Sequence, residues 1–410
     1  MPHLLIIGNG AAGRSAAEAI REVDRGCEVT ILTEEQVGHY YRPDLDEYVI
    51  TEDSGTLWSG KDRFYEKKDV RLRLGCVVTA VDAEAQRITL QTGEAVSYDK
   101  LLIATGGKPI MPPWPGGELQ GIHNLRSYAD AEGLIESARR AEQAVVVGGG
   151  LLGMDFAHVL RSKGKQTTHL VREAAIGVPA LDEKAGAIIQ KRLLDRGVNL
   201  CLEEEVVEFV GAEGRVAAVK TSKGRSFDCQ LVAVAVGVRP ALSFLEGSGI
   251  KTDRGILVDE QQGTNVPTIY AAGDAAQVCD FIYGQARVHT SWRNADEQGS
   301  IAGRNMAGEE ATAQHLIAWN YQEVFGLPYV SMGAALETEP PFEVLARYQP
   351  EHELYHKLVL REGKVVGAVL LGKTEQSFGV EQAIRQEVDI SGVRDRLLDE
   401  GFDWLQLTMG

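Results

Sequence analysis

The chain has 410 residues, 44% of them hydrophobic, which is too long for one core and suits two or three domains. Its formal net charge of −17 argues against broad binding to nucleic acid or anionic membrane. No apolar run is long enough to span a bilayer.

The chain enters its first strand by His3, so no leader peptide is expected. Leu4-Leu5-Ile6-Ile7 is a short apolar strand running into Gly8-Asn9-Gly10-Ala11-Ala12-Gly13. A helix follows with Ala16, Ala17, Ala19 and Ile20 on its inner face. The spacing is G-x-G-x-x-G. Gly8 permits a tight turn, Gly10 lets backbone approach a pyrophosphate, and Gly13 lets helix and strand pack closely. A phosphate there would meet free N–H groups at the positive end of a helix. Residues 27–33 form a second strand ending at Glu34 and Glu35. A carboxylate at that place accepts hydrogen bonds from ribose hydroxyls, with Glu35 the first choice and Glu34 the second.

Residues 39–43 break the pattern. Residues 61–73 are locally basic, with Lys61, Arg63, Lys67, Lys68, Arg71 and Arg73, and read as a solvated face. Alternation predicts strands over 76–82 and 87–90, with Gly93 at a turn. Residues 100–107 are a buried strand ending at Ala104-Thr105-Gly106-Gly107. The next ten residues hold four prolines and read as a linker.

The opening pattern then repeats. Residues 144–147 are apolar, Gly148, Gly150 and Gly153 keep the same spacing, and the next strand, 167–171, ends at Arg172-Glu173. Two such cradles argue for two separate nucleotides. Further on come a helix over 184–196, a strand over 198–202, a buried strand over 231–237 and a strand over 268–274 ending at Gly273-Asp274. A helix rich in small residues spans 294–308. From about 316, strands at 343–348, 354–361 and 364–371 read as antiparallel, followed by a helix near 375–386. The five cysteines, Cys27, Cys76, Cys201, Cys229 and Cys279, form no ligand-spaced pair. They read as free thiols of a reducing cytoplasm, with no metal site.

The two fingerprints, Ala104-Thr105-Gly106, Val236-Gly237-Val238-Arg239-Pro240 and Ala272-Gly273-Asp274 resemble, in that order, the FAD-dependent pyridine nucleotide–disulfide oxidoreductases. Tyr40-Tyr41-Arg42-Pro43-Asp44-Leu45 and Trp292-Arg293-Asn294-Ala295 are similar to segments of the NADH:rubredoxin and ferredoxin reductases of that family. The resemblance implies an α/β fold of two Rossmann-like domains plus a small α+β C-terminal domain. The FAD domain (1–110 and 241–315) is split by an inserted NAD(P) domain (111–240), and 316–410 form the interface domain.

The resemblance also implies site residues. Gly8, Gly10, Ala11, Ala12, Gly13 and Glu35, or Glu34, would hold the ADP half of FAD, and Val78 would meet its adenine. Ala104, Thr105 and Gly106 would line the pyrophosphate, Arg42 and Pro43 would lie near the flavin ring beside Trp292 and Ala295, and Gly273 with Asp274 would bind the ribityl chain. Gly148, Gly150, Leu151, Leu152, Gly153 and Gly237 would hold the NAD(P)H pyrophosphate, with Asp155 as the acid near the nicotinamide, where the family commonly has glutamate. Arg172 favours a 2′-phosphate and Glu173 a free 2′-hydroxyl, so NADH is expected with NADPH as the second candidate.

No cysteine lies between Cys27 and Cys76, where disulfide-using members place a redox cysteine, so electrons should leave straight from the flavin. Glu47 stands where many ferredoxin reductases have lysine. The expected function is transfer from NAD(P)H through FAD to a small electron carrier, rubredoxin or ferredoxin. The rivals are a flavin-only oxidase and a flavoprotein subunit of a larger complex; the oligomeric state stays open. Steering an acidic carrier would need a basic patch, for which residues 61–73 or Arg287, His289, Arg293 and Arg304 are candidates.

Overall fold

A computed structural model describes residues 1–58, 63–178 and 180–408; Lys61 of the basic run lies outside them. The chain divides into two compact units, each assembled from three segments. Met1–Pro43, Ser54–Lys108 and Val238–Trp319 make the first. Asp44–Asp53, Pro109–Gly237 and Asn320–Gly410 make the second.

The first unit is built on a five-stranded sheet in the order Ile269–Ala271, Lys100–Ile103, His3–Ile7, Glu28–Leu32, Arg71–Arg73. All its pairings are parallel. Leu5, Ile6, Leu101 and Leu102 are fully buried, because both faces of a parallel sheet are covered and its strands read as continuous apolar runs. Ile7 lies opposite both Leu32 and Ile103. Three strands therefore end level, and the loops after them share one edge, where α/β sheets bind ligands. The helices Ala11–Val23 and Trp292–Met306 cover one face. Their backbones touch: a Cβ on Gly299 would stand 2.2 Å from the Ala12 carbonyl oxygen, and one on Gly303 2.3 Å from that of Ala16. The small residues expected over 294–308 are what lets these helices meet.

The second unit repeats the plan. Its parallel sheet runs Asn199–Cys201, Gln166–Leu170, Gln143–Val147, Leu231–Val234, Ile122–His123. The helix Leu151–Ser162 leaves the second glycine turn, and the short helix Leu45–Thr51 packs against it and against Tyr128–Arg140. A second five-stranded sheet has the order Trp319–Val324, Leu327–Gly333, Lys364–Leu371, Leu354–Arg361, Glu343–Gln349. The hairpin Leu354–Arg361/Lys364–Leu371 closes at Glu362 and Gly363, with φ of 52° and 74°. Two positive φ angles match the right-handed strand twist.

Some boundaries differ from expectation. The strand placed at 231–237 ends at Val234, since the chain turns at Gly237 with φ 116°. At the start of the proline-rich stretch, the strand Gly107–Pro109 pairs with Val238–Pro240 as a two-stranded ribbon. The basic run contributes a one-turn helix, Phe64–Lys67, and the sheet's edge strand.

Candidate functional site

The first cradle is made by three strand ends. Gly8 has φ 113°, and a Cβ there would stand 2.1 Å from the Ala104 carbonyl oxygen. A Cβ on Gly13 would stand 1.9 Å from the carbonyl oxygen of Gly8. Gly10 differs, since its Cβ would meet only the Arg42 guanidinium, at 3.7 Å. Two glycines are thus fixed by packing, and the middle one faces open space beside a cation at the N-terminus of the Ala11–Val23 helix. That combination fits a pyrophosphate.

Arg42 joins the cradle to the second strand end. Its Nη2 donates to Glu35 Oε1 at 2.8 Å, and the Tyr40 hydroxyl donates to Glu35 Oε2 at 2.8 Å. Burial works against the guanidinium's charge, but Tyr40 and Glu35 outweigh it and raise its pKa, with Asp274 acting the same way. Glu35, Arg42 and Asp274 are therefore neighbours. Glu34 is exposed and stands 3.8 Å from Lys108, so of the two acids only Glu35 is tied to the cradle.

Gly273 sits between Ala12 and Ala295, each 3.3 Å from where its Cβ would be. Its N–H donates to Gln298 Oε1 at 2.8 Å. Trp292 opens its helix and lies 5.0 Å from Tyr41 and 5.6 Å from His39, ring centre to ring centre. Ala11, Arg14, His39, Tyr41, Trp292 and Asp296 line a cleft there. Burial pushes His39 down to about 4. Arg42 Nε, Thr105 Oγ1 and Gln298 Nε2 are buried without a hydrogen-bond partner among the described residues. Such groups cost free energy unless something satisfies them, so the donor set around the cradle also fits a polar ligand. Gly106 has φ 66°. Pro43 lies in the 3₁₀ turn Arg42–Asp44, and Val78, opening the strand Val78–Asp82, packs on the core beneath the sheet.

The second cradle repeats the packing of the first at its outer two glycines. Gly148 has φ 115° and a Cβ there would stand 2.2 Å from the Ala235 carbonyl oxygen. Gly153 repeats the 1.9 Å approach, to the Gly148 oxygen, and Gly150 has nothing within 4 Å. Beneath the loop, His169 Nε2 lies 2.8 Å from the Gly148 carbonyl oxygen and donates to it, and burial holds this ring down at about 4. Leu151 and Leu152 begin the helix Leu151–Ser162, and Gly237 accepts from the Ile110 N–H at 2.9 Å. Arg172 folds onto its neighbour, with Nη2 2.8 Å from Glu173 Oε1. Asp155 is partly buried and accepts from Gln322 Nε2. Burial, then the charge of Asp46, raise the Asp155 carboxyl, and Gln322 lowers it, leaving it at about 7.

One group expected in a basic patch is elsewhere. His289 is 4% exposed, with Nε2 3.0 Å from Asp280 and Nδ1 accepting from Asn294 Nδ2 at 3.0 Å. It is a core residue at the foot of the Trp292–Met306 helix and no surface cation. Arg304 is bonded to Glu22 and Glu309, and Arg73 is held by both oxygens of Glu94. The sequence reading missed Gln298, Gln322 and the Asp280–His289–Asn294 chain. Their only signal was polarity at positions facing inward.

All five cysteines are free. Among the described residues no helix is long and apolar enough to cross a membrane, and no group of three or more His, Cys, Asp or Glu could hold a metal ion.

Comparison with known proteins gives this geometry relatives. Residues 2–299 match the family described as pyridine nucleotide-disulphide oxidoreductase, and residues 320–388 match the rubredoxin NAD+ reductase C-terminal domain. The chain is 32% identical over 321 residues to the benzene 1,2-dioxygenase system ferredoxin–NAD(+) reductase subunit of Pseudomonas putida, covering 77% of each. It is 29% identical over 391 residues to the nitrite reductase [NAD(P)H] of Bacillus subtilis (strain 168), covering 95% of this chain and 48% of that protein. The chain thus spans about half the length of that relative, and 51% of the assimilatory nitrate reductase electron transfer subunit of the same organism. Among solved structures, the NADH:rubredoxin oxidoreductase of Clostridium acetobutylicum superposes with a TM-score of 0.76 at 26% identity, covering 96% of this chain and 97% of that one.

Proposed function

The chain belongs to the pyridine nucleotide-disulphide oxidoreductase family, and from that premise we propose that it is an FAD-dependent reductase that takes electrons from NADH and passes them to rubredoxin or a ferredoxin. One observation carries this reading. Two cradles of the same geometry each leave the middle glycine, Gly10 or Gly150, facing open space, in a chain whose C-terminal region matches that of rubredoxin reductases. When bound, the flavin supplies hydride acceptance and the onward release of electrons.

The chain's own residues bind and orient. Gly8 and Gly13 close the turn so that Gly10, Ala11 and Ala12 present backbone N–H groups to the FAD pyrophosphate. Glu35, Ala104, Thr105 and Gly106 line that nucleotide, with Val78 toward the adenine. Arg42 and Pro43 take the flavin side together with Gly273, Asp274, Trp292 and Ala295. Gly148, Gly150, Leu151, Leu152, Gly153 and Gly237 hold the reduced nucleotide, with Asp155 beside its reacting ring. Glu173 engages Arg172, which would otherwise receive a 2′-phosphate, so NADH is favoured over NADPH. The domain limits 1–110, 111–240, 241–315 and 316–410 are assigned on this reading. The five free cysteines support a reducing cytoplasm.

No cysteine lies between Cys27 and Cys76, so a protein carrier should draw electrons from the flavin itself. Steady-state NADH oxidation, in air and then with rubredoxin or ferredoxin added, tests this. A rate raised at least tenfold by the carrier is expected. A full rate in air alone, unchanged by either carrier, would assign the chain to the flavin-only oxidases instead.

A further inference from the structure

Gln322 lies on the inward face of the strand Trp319–Val324, between exposed Tyr321 and Glu323. It is 6% exposed. Its Nε2 donates to the Leu151 carbonyl oxygen at 2.7 Å and to Asp155 Oδ1. Its Oε1 has no partner among the described residues. An amide buried at such a place costs free energy that an aliphatic side chain would not. Both groups it holds belong to the first turn and a half of the helix that leaves the second cradle. Two acceptors around one nitrogen also fix which end of the amide points there.

A second element meets the same acid. The helix Leu45–Thr51 packs against Leu151–Ser162 and brings Asp46, whose charge opposes that of Asp155. Burial opposes it too, and the Gln322 hydrogen bond is the one influence that favours the carboxylate. Asp46 is itself raised, chiefly by burial. The other titratable groups on the packed elements are Glu47, Tyr48, His158, Arg161, His169, Tyr321 and Glu323. Burial lowers His158, Glu323 and Glu47 pull it up, and Arg196 and Arg192 pull it down. His169 is kept neutral by burial.

We propose that Gln322 is a positioning residue of the nucleotide site: it fixes the Asp155 carboxyl beside the cradle and, against Asp46, decides whether that carboxyl carries its proton when the reduced nucleotide binds. This rests on the reading of Asp155 as the acid next to NADH. Asp155 and Asp46 then form an unequal pair of acids on two packed helices, with the strand Trp319–Val324 setting the balance. Protonated, Asp155 can donate a hydrogen bond to the nucleotide; ionised, it can only accept one.

The test measures two things across pH in the holoenzyme. One is the anaerobic rate of flavin reduction by NADH. The other is the infrared band of protonated carboxyl groups without nucleotide, with Asp155→Asn as the blank. Both should inflect near 7 in the unaltered protein. Gln322→Leu removes the donor and should move both inflections up by about one pH unit. Asp46→Asn removes the opposing charge and should move both down. The proposal is overturned if Gln322→Leu lowers only the melting temperature and leaves both inflections in place, or if Asp155→Asn keeps the rate inflection. If NADH reduces no flavin at any pH while the infrared band still shifts in opposite directions, the hold of Gln322 on Asp155 stands and the assignment of the cradle to NADH fails.

Discussion

Gly148 and Gly150 stand two residues apart and do different work. Gly148 is locked by a left-handed φ and by the Ala235 oxygen 2.2 Å from its would-be Cβ. Gly150 has ordinary backbone angles and empty space. Gly148→Ala should therefore destabilise the fold, whereas Gly150→Ala should leave the melting temperature nearly unchanged and weaken NADH binding by tenfold or more. Thermal melts and nucleotide titrations of the two variants would separate the roles. This distinction was legible in the sequence, because the G-x-G-x-x-G spacing assigns each glycine its place. Glu35 and Arg42 were each legible as single residues, but their pairing was not, since the loop between them follows no repeat. Gln322 was invisible: its partner Asp155 is 167 positions away, and one glutamine in a strand carries no local signal.

The helices show the same split between pattern and partner. The small residues of the Trp292–Met306 helix were plain in the sequence, but their consequence for close approach came only with the structure. Which helix they approach depends on the sheet, which brings residues 11–23 under residues 292–306. Gly303→Val is the sharp test. Its Cβ would fall 2.3 Å from the Ala16 carbonyl oxygen, so the helices must part, at a cost of about 3 kcal/mol. A melting temperature lower by several degrees, with loss of flavin on gel filtration, is expected; an unchanged melt would show that the contact is slack. Strand hairpins were the easiest elements to place, because alternation and the Glu362-Gly363 turn agree locally. The segment Asp44–Asp53 was the hardest. It follows Arg42 and Pro43 directly in sequence yet packs with the second unit, where Leu45, Tyr48 and Val49 are buried, and no motif marks that choice.

At the scale of the whole molecule, the proposal of two nucleotides rests on the repetition of one cradle geometry in two units. Arg73 and Arg304 each have acids at hydrogen-bond distance, and exposed pairs of that kind contribute little to stability. The central claim is that FAD in the first cradle is the chain's only redox centre and that NADH in the second reduces it. Anaerobic titration of the purified protein with NADH, followed by absorbance, tests it most directly. The account predicts a flavin spectrum that bleaches fully at about one NADH per chain and returns when rubredoxin or ferredoxin is added. A protein that carries and rebinds no flavin, or one whose bleaching needs about two NADH per chain because a second centre is reduced, would contradict it.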